Sequence, residues 1–172
     1  MARQLDEIDR ALLRALSNDG RRTVRALAKS VDLSEPAVRD RLQRLERDGV
    51  ITGYHATFAP ETVDAGTAAF VALRFDAGKA ARDQVEAAIR RDPAVLEAHD
   101  VAGEDCMWIK VRVASTGDLA DTLDRIRSVP VIRSTGSTIV LRTLFERPLL
   151  SAVAGTAEEA PDEARDAGAD EG

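Results

Sequence analysis

Residues 23–53 read TVRALAKSVDLSEPAVRDRLQRLERDGVITG, and they decide the first half of the fold. Val24, Leu27, Ala28 and Val31 recur at helical spacing, so a short helix is expected to end near Val31. Asp32 and Leu33 then make a tight turn. Ser34 is a good N-cap, and Glu35 and Pro36 suit the first turn of a helix. Val38, Leu42 and Leu45 form the inward stripe of that second helix, which Gly49 stops. Two short helices joined by a tight turn are a device for laying the second helix in the major groove of DNA.

The flanks extend this unit. Upstream, a helix is expected from about Asp6 to Asn18-Asp19-Gly20, with Ile8, Leu12, Leu13 and Leu16 on one face. Asp6, Glu7 and Asp9 fall in its first turn, where the helix dipole favours negative charge. Downstream, Ile51–Phe58 alternates enough to form a wing hairpin or strand, bent at Gly53. Residues 1–59 are therefore expected to form a winged helix-turn-helix DNA-binding domain.

At 100° per residue, the face opposite Val38, Leu42 and Leu45 holds Pro36, Ala37, Asp40, Gln43, Arg44 and Arg47, with Arg39 on its flank. The N-terminal half of a recognition helix usually meets base edges, which points to Ala37, Arg39, Asp40 and Gln43, beside the Ser34 cap. Arg41, Arg44 and Arg47 are then expected near phosphates, as are Arg21 and Arg22 just before the second helix. On a lone helix such charges would be only a solvated face. The preceding helix, the turn, the Ser34 cap and the trailing segment together favour a docking face.

The net charge of −6 sits oddly with a polyanionic partner until it is divided along the chain. Residues 1–59 carry 11 Lys+Arg against 9 Asp+Glu, residues 60–150 carry 12 against 14, and residues 151–172 carry 1 against 7. The last segment accounts for the whole excess, and DNA contact depends on local potential rather than on the total. That segment is mostly Ala, Gly, Asp and Glu, and it lacks the apolar area to offset its ordering entropy; residues 151–172 are expected to be a disordered acidic tail.

Residues 60–66, with Pro60 and Gly66, read as a linker. From there to residue 150, strands and helices alternate: Thr67–Phe75, then a helix over Ala81–Arg91 ended by Asp92-Pro93, then Val95–Ala102 and Cys106–Val113 around the turn Gly103-Glu104-Asp105. A helix over Asp118–Ser128 and a last strand over roughly Ser134–Leu144 complete a βαββαβ order. The fold class is thus α+β, with a ferredoxin-like second domain in which helices cover one face of an antiparallel sheet. The other face needs cover, and a second copy of the chain is the expected solution.

The segments LDEIDRALLRAL, LAKSVDLSEPAVRDRLQRLERDGVITGY and VLEAHDVAGEDCMWIKVRV together resemble the Lrp/AsnC, or feast-or-famine, transcription regulators. The resemblance runs collinearly from residue 5 to about residue 147. It implies homodimers that assemble into tetramers, octamers or hexadecamers and wrap or bend palindromic promoter DNA. It also implies an amino-acid effector at the interface between dimers, held by the loop after the second strand of the sheet domain. The matching positions are Val101, Gly103, Glu104, Asp105 and Cys106, with Thr135, Ser137 and Thr138 in the last strand. Many members place an acid at the position of Cys106 and an aromatic at that of Met107; here the acids are Glu104 and Asp105, and the aromatic is Trp108. Apart from the resemblance, a Gly-Glu-Asp turn is most often just a hairpin, and Trp108 is a packing residue.

Enzyme chemistry finds no purchase. His55 and His99 lack partners at metal-ligand spacing, so no metal is expected. Cys106, the one cysteine, excludes an intrachain disulfide and has nothing to orient it as a nucleophile. No Gly-rich phosphate loop and no GxSxG occurs, and no cofactor is implied. No run of about 18 apolar residues suggests a membrane span, and MARQLDEIDR does not read as a secretory signal, so a cytoplasmic protein is expected. The resulting expectation is a sequence-specific, DNA-binding transcription regulator that is tuned by a small molecule and acts as a homo-oligomer. The alternative is an architectural DNA-binding protein with no effector; a metabolic enzyme or pure sensor is a more distant rival.

Overall fold

A computed structural model describes residues 4–146. The chain divides into two units, one running up to Ala56 and the other spanning Thr57–Leu144.

In the first unit, α1 (Glu7–Asn18) is capped by Asp6, whose carboxylate accepts from the Asp9 backbone N–H at 2.7 Å. Thr23 caps α2 (Val24–Ser30) in the same way, accepting from the Ala26 N–H. The turn that follows holds Asp32 at φ 52°, a left-handed conformation that Asp tolerates better than most side chains. The N–H of Leu33 closes the turn on the carbonyl of Ala28 at 3.0 Å. Ser34 caps α3 (Glu35–Arg47), and Gly49 at φ 70° ends it, with the N–H groups of Val50 and Ile51 both bonded to the Leu45 carbonyl. Leu12, Leu27, Ala28, Val38 and Leu42 form the core, with Ile8, Leu16, Val31 and Ile51 packed around it.

One expectation for this unit is borne out and extended, and one needs correction. Asp9 does more than complement the dipole of α1: it is fully buried. And Ile51–Phe58 forms no strand or hairpin: no residue of this stretch pairs with another strand. Its wing position is filled by an irregular segment, tied back to α3 where the Tyr54 hydroxyl donates to Glu46 Oε1 at 2.8 Å.

The second unit opens with a 3₁₀ turn at Pro60–Val63, followed by β1 (Thr67–Phe75), α4 (Lys79–Arg91), β2 (Val95–Asp100), β3 (Met107–Val113), α5 (Thr116–Arg127) and β4 (Ile132–Val140). The antiparallel sheet has the order β2-β3-β1-β4, the ferredoxin-like arrangement expected from the sequence. Ala69, Val71, Leu73 and Phe75 of β1 alternate inward and meet Ile109 and Val111 of β3, Val85 and Ile89 of α4, and Leu119, Leu123 and Ile126 of α5. On the opposite face Phe70 and Trp108 are exposed. The anticipated linker at 60–66 belongs to this unit, where Arg112 Nη1 donates to the Ala65 carbonyl at 3.3 Å. The second and last strands are shorter at their C-terminal ends than the sequence suggested, β4 closing at Val140. The acidic tail expected at 151–172 lies outside the described residues.

Candidate DNA-recognition face and effector loop

The outward face of α3 presents most of the side chains expected there. Arg39, Asp40, Gln43 and Arg47 are exposed, and Ala37 is half-buried at the start of the helix. Glu35, Pro36, Arg39, Asp40 and Gln43 line a shallow concave surface. Arg44 lies one turn beyond Asp40, with Nη2 3.1 Å from Asp40 Oδ2. Arg47 is close to Asp48 at 3.5 Å and remains largely exposed. The Ser34 hydroxyl accepts from the Ala37 N–H at 3.4 Å, so its local task is the cap. Arg21 and Arg22 are exposed in the α1–α2 connection, where the backbone N–H of Arg21 donates to Asp19 Oδ1.

Arg41 departs from the expectation of a phosphate contact. Its Nη1 donates to Asp6 Oδ2 at 2.6 Å and to the buried Asp9 Oδ1 at 2.8 Å, which commits the guanidinium to α1. Helical spacing alone does not show that two acids of the α1 start, 35 and 32 residues away, take up this guanidinium. The Asp6 carboxyl is held below the usual carboxylate range, first by the Asp9 backbone N–H and then by Arg41.

The β2–β3 loop forms the second candidate site. The Val101 N–H donates to the Cys106 carbonyl at 3.3 Å, and the Cys106 N–H donates to the Leu73 carbonyl of β1 at 2.9 Å. Gly103 sits at φ 153°, in open space but in a backbone conformation that side chains rarely adopt. A bulky residue there would strain the turn before it blocked anything. Arg74 at the end of β1 gathers the loop acids: its Nε donates to Asp105 Oδ1 at 2.8 Å and its Nη2 to Glu104 Oε2 at 3.2 Å. Trp108 Nε1 adds a hydrogen bond to Asp105 Oδ2 at 3.2 Å. The Arg74 hydrogen bond leads in holding the Asp105 carboxyl below its usual range, against partial desolvation. Thr135 pairs with Leu73 on the other side of β1, and its hydroxyl accepts from Arg127 Nε at 2.9 Å. Ser137 and Thr138 pair with Val71 and Phe70, farther along β4, and adjacent strand residues point to opposite faces. The loop acids and Arg74 thus form one cluster, Thr135 stands a strand away, and Ser137 and Thr138 do not converge on it together.

Residues 5–52 match the family described as winged helix-turn-helix DNA-binding, and residues 68–150 match the Lrp/AsnC ligand binding domain. The chain belongs to the Lrp/AsnC family of transcription regulators. The HTH-type transcriptional regulator LrpA of Mycobacterium tuberculosis is 41% identical over 145 residues, covering 84% of this chain and 95% of that protein. A crystal structure of the M. tuberculosis feast or famine regulatory protein complexed with L-methionine superposes with a TM-score of 0.76 at 41% identity, covering 83% of this chain and 96% of the other. A transcriptional regulator from Neisseria meningitidis, also crystallised with L-methionine, gives a TM-score of 0.79 at 28% identity, covering 84% and 94%. This Lrp/AsnC chain is accordingly a DNA-binding transcription regulator.

Within this Lrp/AsnC chain, sequence reading missed Arg74 and Tyr54 and gave Arg41 a different role. Arg74 stands 30 and 31 residues from its acids, Arg41 stands 35 and 32 residues from its own, and Tyr54 is joined to Glu46 across the end of α3. Strand alternation alone could have flagged Arg74, a charge at an outward position of an otherwise apolar strand.

Proposed function

We propose that this regulator binds specific promoter sites as a homodimer, or a higher oligomer built through its sheet domain, and docks α3 in the major groove of each half-site. Arg39, Asp40 and Gln43, with Ala37, face base edges; Arg21, Arg22, Arg44 and Arg47 contact phosphates; Ser34 fixes the start of the helix. The observation that carries this reading is the polar, exposed outer face of a capped and well-packed α3. The chain works in the cytoplasm and has no catalytic step. The solvent-exposed sheet face with Phe70 and Trp108 supports association with a second copy.

The effector in this reading is an amino acid, supported by the two related proteins crystallised with L-methionine. A zwitterion matches the charges of the loop: its ammonium suits Glu104 and Asp105, and its carboxylate suits Arg74. Binding shifts the populations of assembly states that hold DNA differently.

Arg44→Ala tests the docking face. The substitution is expected to weaken binding to all duplexes and to flatten the slope of log affinity against log salt by about one unit. Unchanged affinity and slope would reject the face. The specific-to-nonspecific affinity ratio of the unaltered protein at fixed salt separates this reading from an architectural, effector-free one.

A further inference from the structure

An acidic side chain on a surface that meets DNA needs an explanation, because a carboxylate opposes the phosphate field. Asp40 is such a residue. It lies centrally on the outer face of α3, its side chain is 68% exposed, and it lines the concave surface together with Arg39 and Gln43. Its tie to Arg44, one helical turn on, is too exposed to matter much for helix stability. Arg44 engages one carboxylate oxygen, Oδ2, and its Nε lies 3.4 Å from the Asp40 backbone carbonyl. Among the described residues no other side chain donates to the Asp40 carboxylate. Oδ1 is therefore available to a donor from outside the protein.

In the major groove the donors on base edges are exocyclic amino groups, and an acidic side chain pairs with cytosine N4. We propose that Asp40 is a specificity-determining residue, accepting a hydrogen bond from cytosine N4 in each half-site. This rests on the docking of α3 proposed above. At a site with guanine or thymine in that place, the carboxylate faces acceptors only and is repelled. In the cognate complex the amino group satisfies Oδ1, and Arg44 covers Oδ2 with Nη2 while its Nη1 is left to a phosphate. Asp40 thus acts as a penalty on wrong sequences, and Arg44 is the counter-charge that makes an acid tolerable on this face.

The test uses the full chain and a duplex library with a randomised 24-base-pair core, sequenced before and after capture at fixed salt. Asp40→Ala is expected to bind the unselected pool severalfold more tightly than the unaltered protein and to lose the cytosine preference at one position per half-site, keeping the others. Asp40→Asn is expected to shift that position toward adenine, the base an amide side chain reads. Glu7→Ala makes the same change of charge at an exposed place on α1 and is expected to keep the whole motif. A motif that Asp40→Ala reproduces at every position overturns the assignment, and so does a uniform weakening at all positions, which would make Asp40 a seat for the helix rather than a reader. No enrichment by the unaltered protein overturns sequence-specific docking itself, and this inference with it.

Discussion

Each unit of this chain holds an arginine against two acids distant in sequence, and the two clusters differ mainly in how much water reaches them. In the helix-turn-helix unit, the Arg41 side chain is 20% exposed and that of its partner Asp9 only 1%. In the sheet unit, Arg74 is 50% exposed, Asp105 is 23% and Glu104 is 90%. A buried carboxylate is costly to leave without a cation, so Arg41 Nη1 is held at Asp9 and Asp6. An exposed charge exchanges partners with water at small cost, so Arg74 and its acids can hold the loop and still change partners. The same residue types thus fasten one domain together and leave the other open to exchange.

The largest expected effect lies at the buried cluster. Arg41→Leu removes a charged hydrogen bond from the buried Asp9 and should destabilise the helix-turn-helix unit by about 1.5–3 kcal/mol, seen as an early loss of helical circular dichroism on heating. Adding Asp9→Leu should recover much of that loss. If Arg41→Leu melts like the parent protein, the comparison between the clusters breaks. Acid probes the same place: because the Asp6 carboxyl is held below its ordinary value of 3.8, its contribution is present above that pH and is lost as pH falls through the lower folded value.

The exposed cluster should behave in the opposite way. Arg74→Ala is expected to change stability by less than about 1 kcal/mol, while abolishing any change in DNA protection produced by L-methionine. A large drop in melting temperature would move Arg74 into the class of Arg41; a retained response to methionine would remove it from the effector site.

The smallest effect concerns a group between these extremes. Tyr54 is half-exposed, and burial, with the nearby Glu46 carboxylate adding to it, pushes its hydroxyl up to about 12. It is the only tyrosine in the chain, so ultraviolet titration reports it cleanly. Glu46→Gln should lower the midpoint, and a midpoint near 10 in the parent would mean that the segment after α3 is not tied back. Because the folded value is raised, any stability it contributes is present below about pH 10 and fades as pH climbs toward 12.

Much of the fold was legible because its signals are local. Ser34 at the head of α3, Gly49 at its foot, the apolar stripe Val38-Leu42-Leu45 and the alternation from Thr67 to Phe75 each act over one turn or one strand. The outward side chains of α3 followed from the same helical period. The winged helix-turn-helix was read correctly, but the strand expected at Ile51–Phe58 was not, because alternation describes a strand only when a partner strand lies beside it.

The sequence by itself therefore determined the order of the elements, their caps and which face of each turns inward, since those depend on neighbours a few residues away. Only the tertiary structure decided which arginine is structural and which is open to exchange. That choice depends on residues some thirty positions apart and on how much water the packing leaves around them, and Coulomb energy varies far more with burial than with residue type.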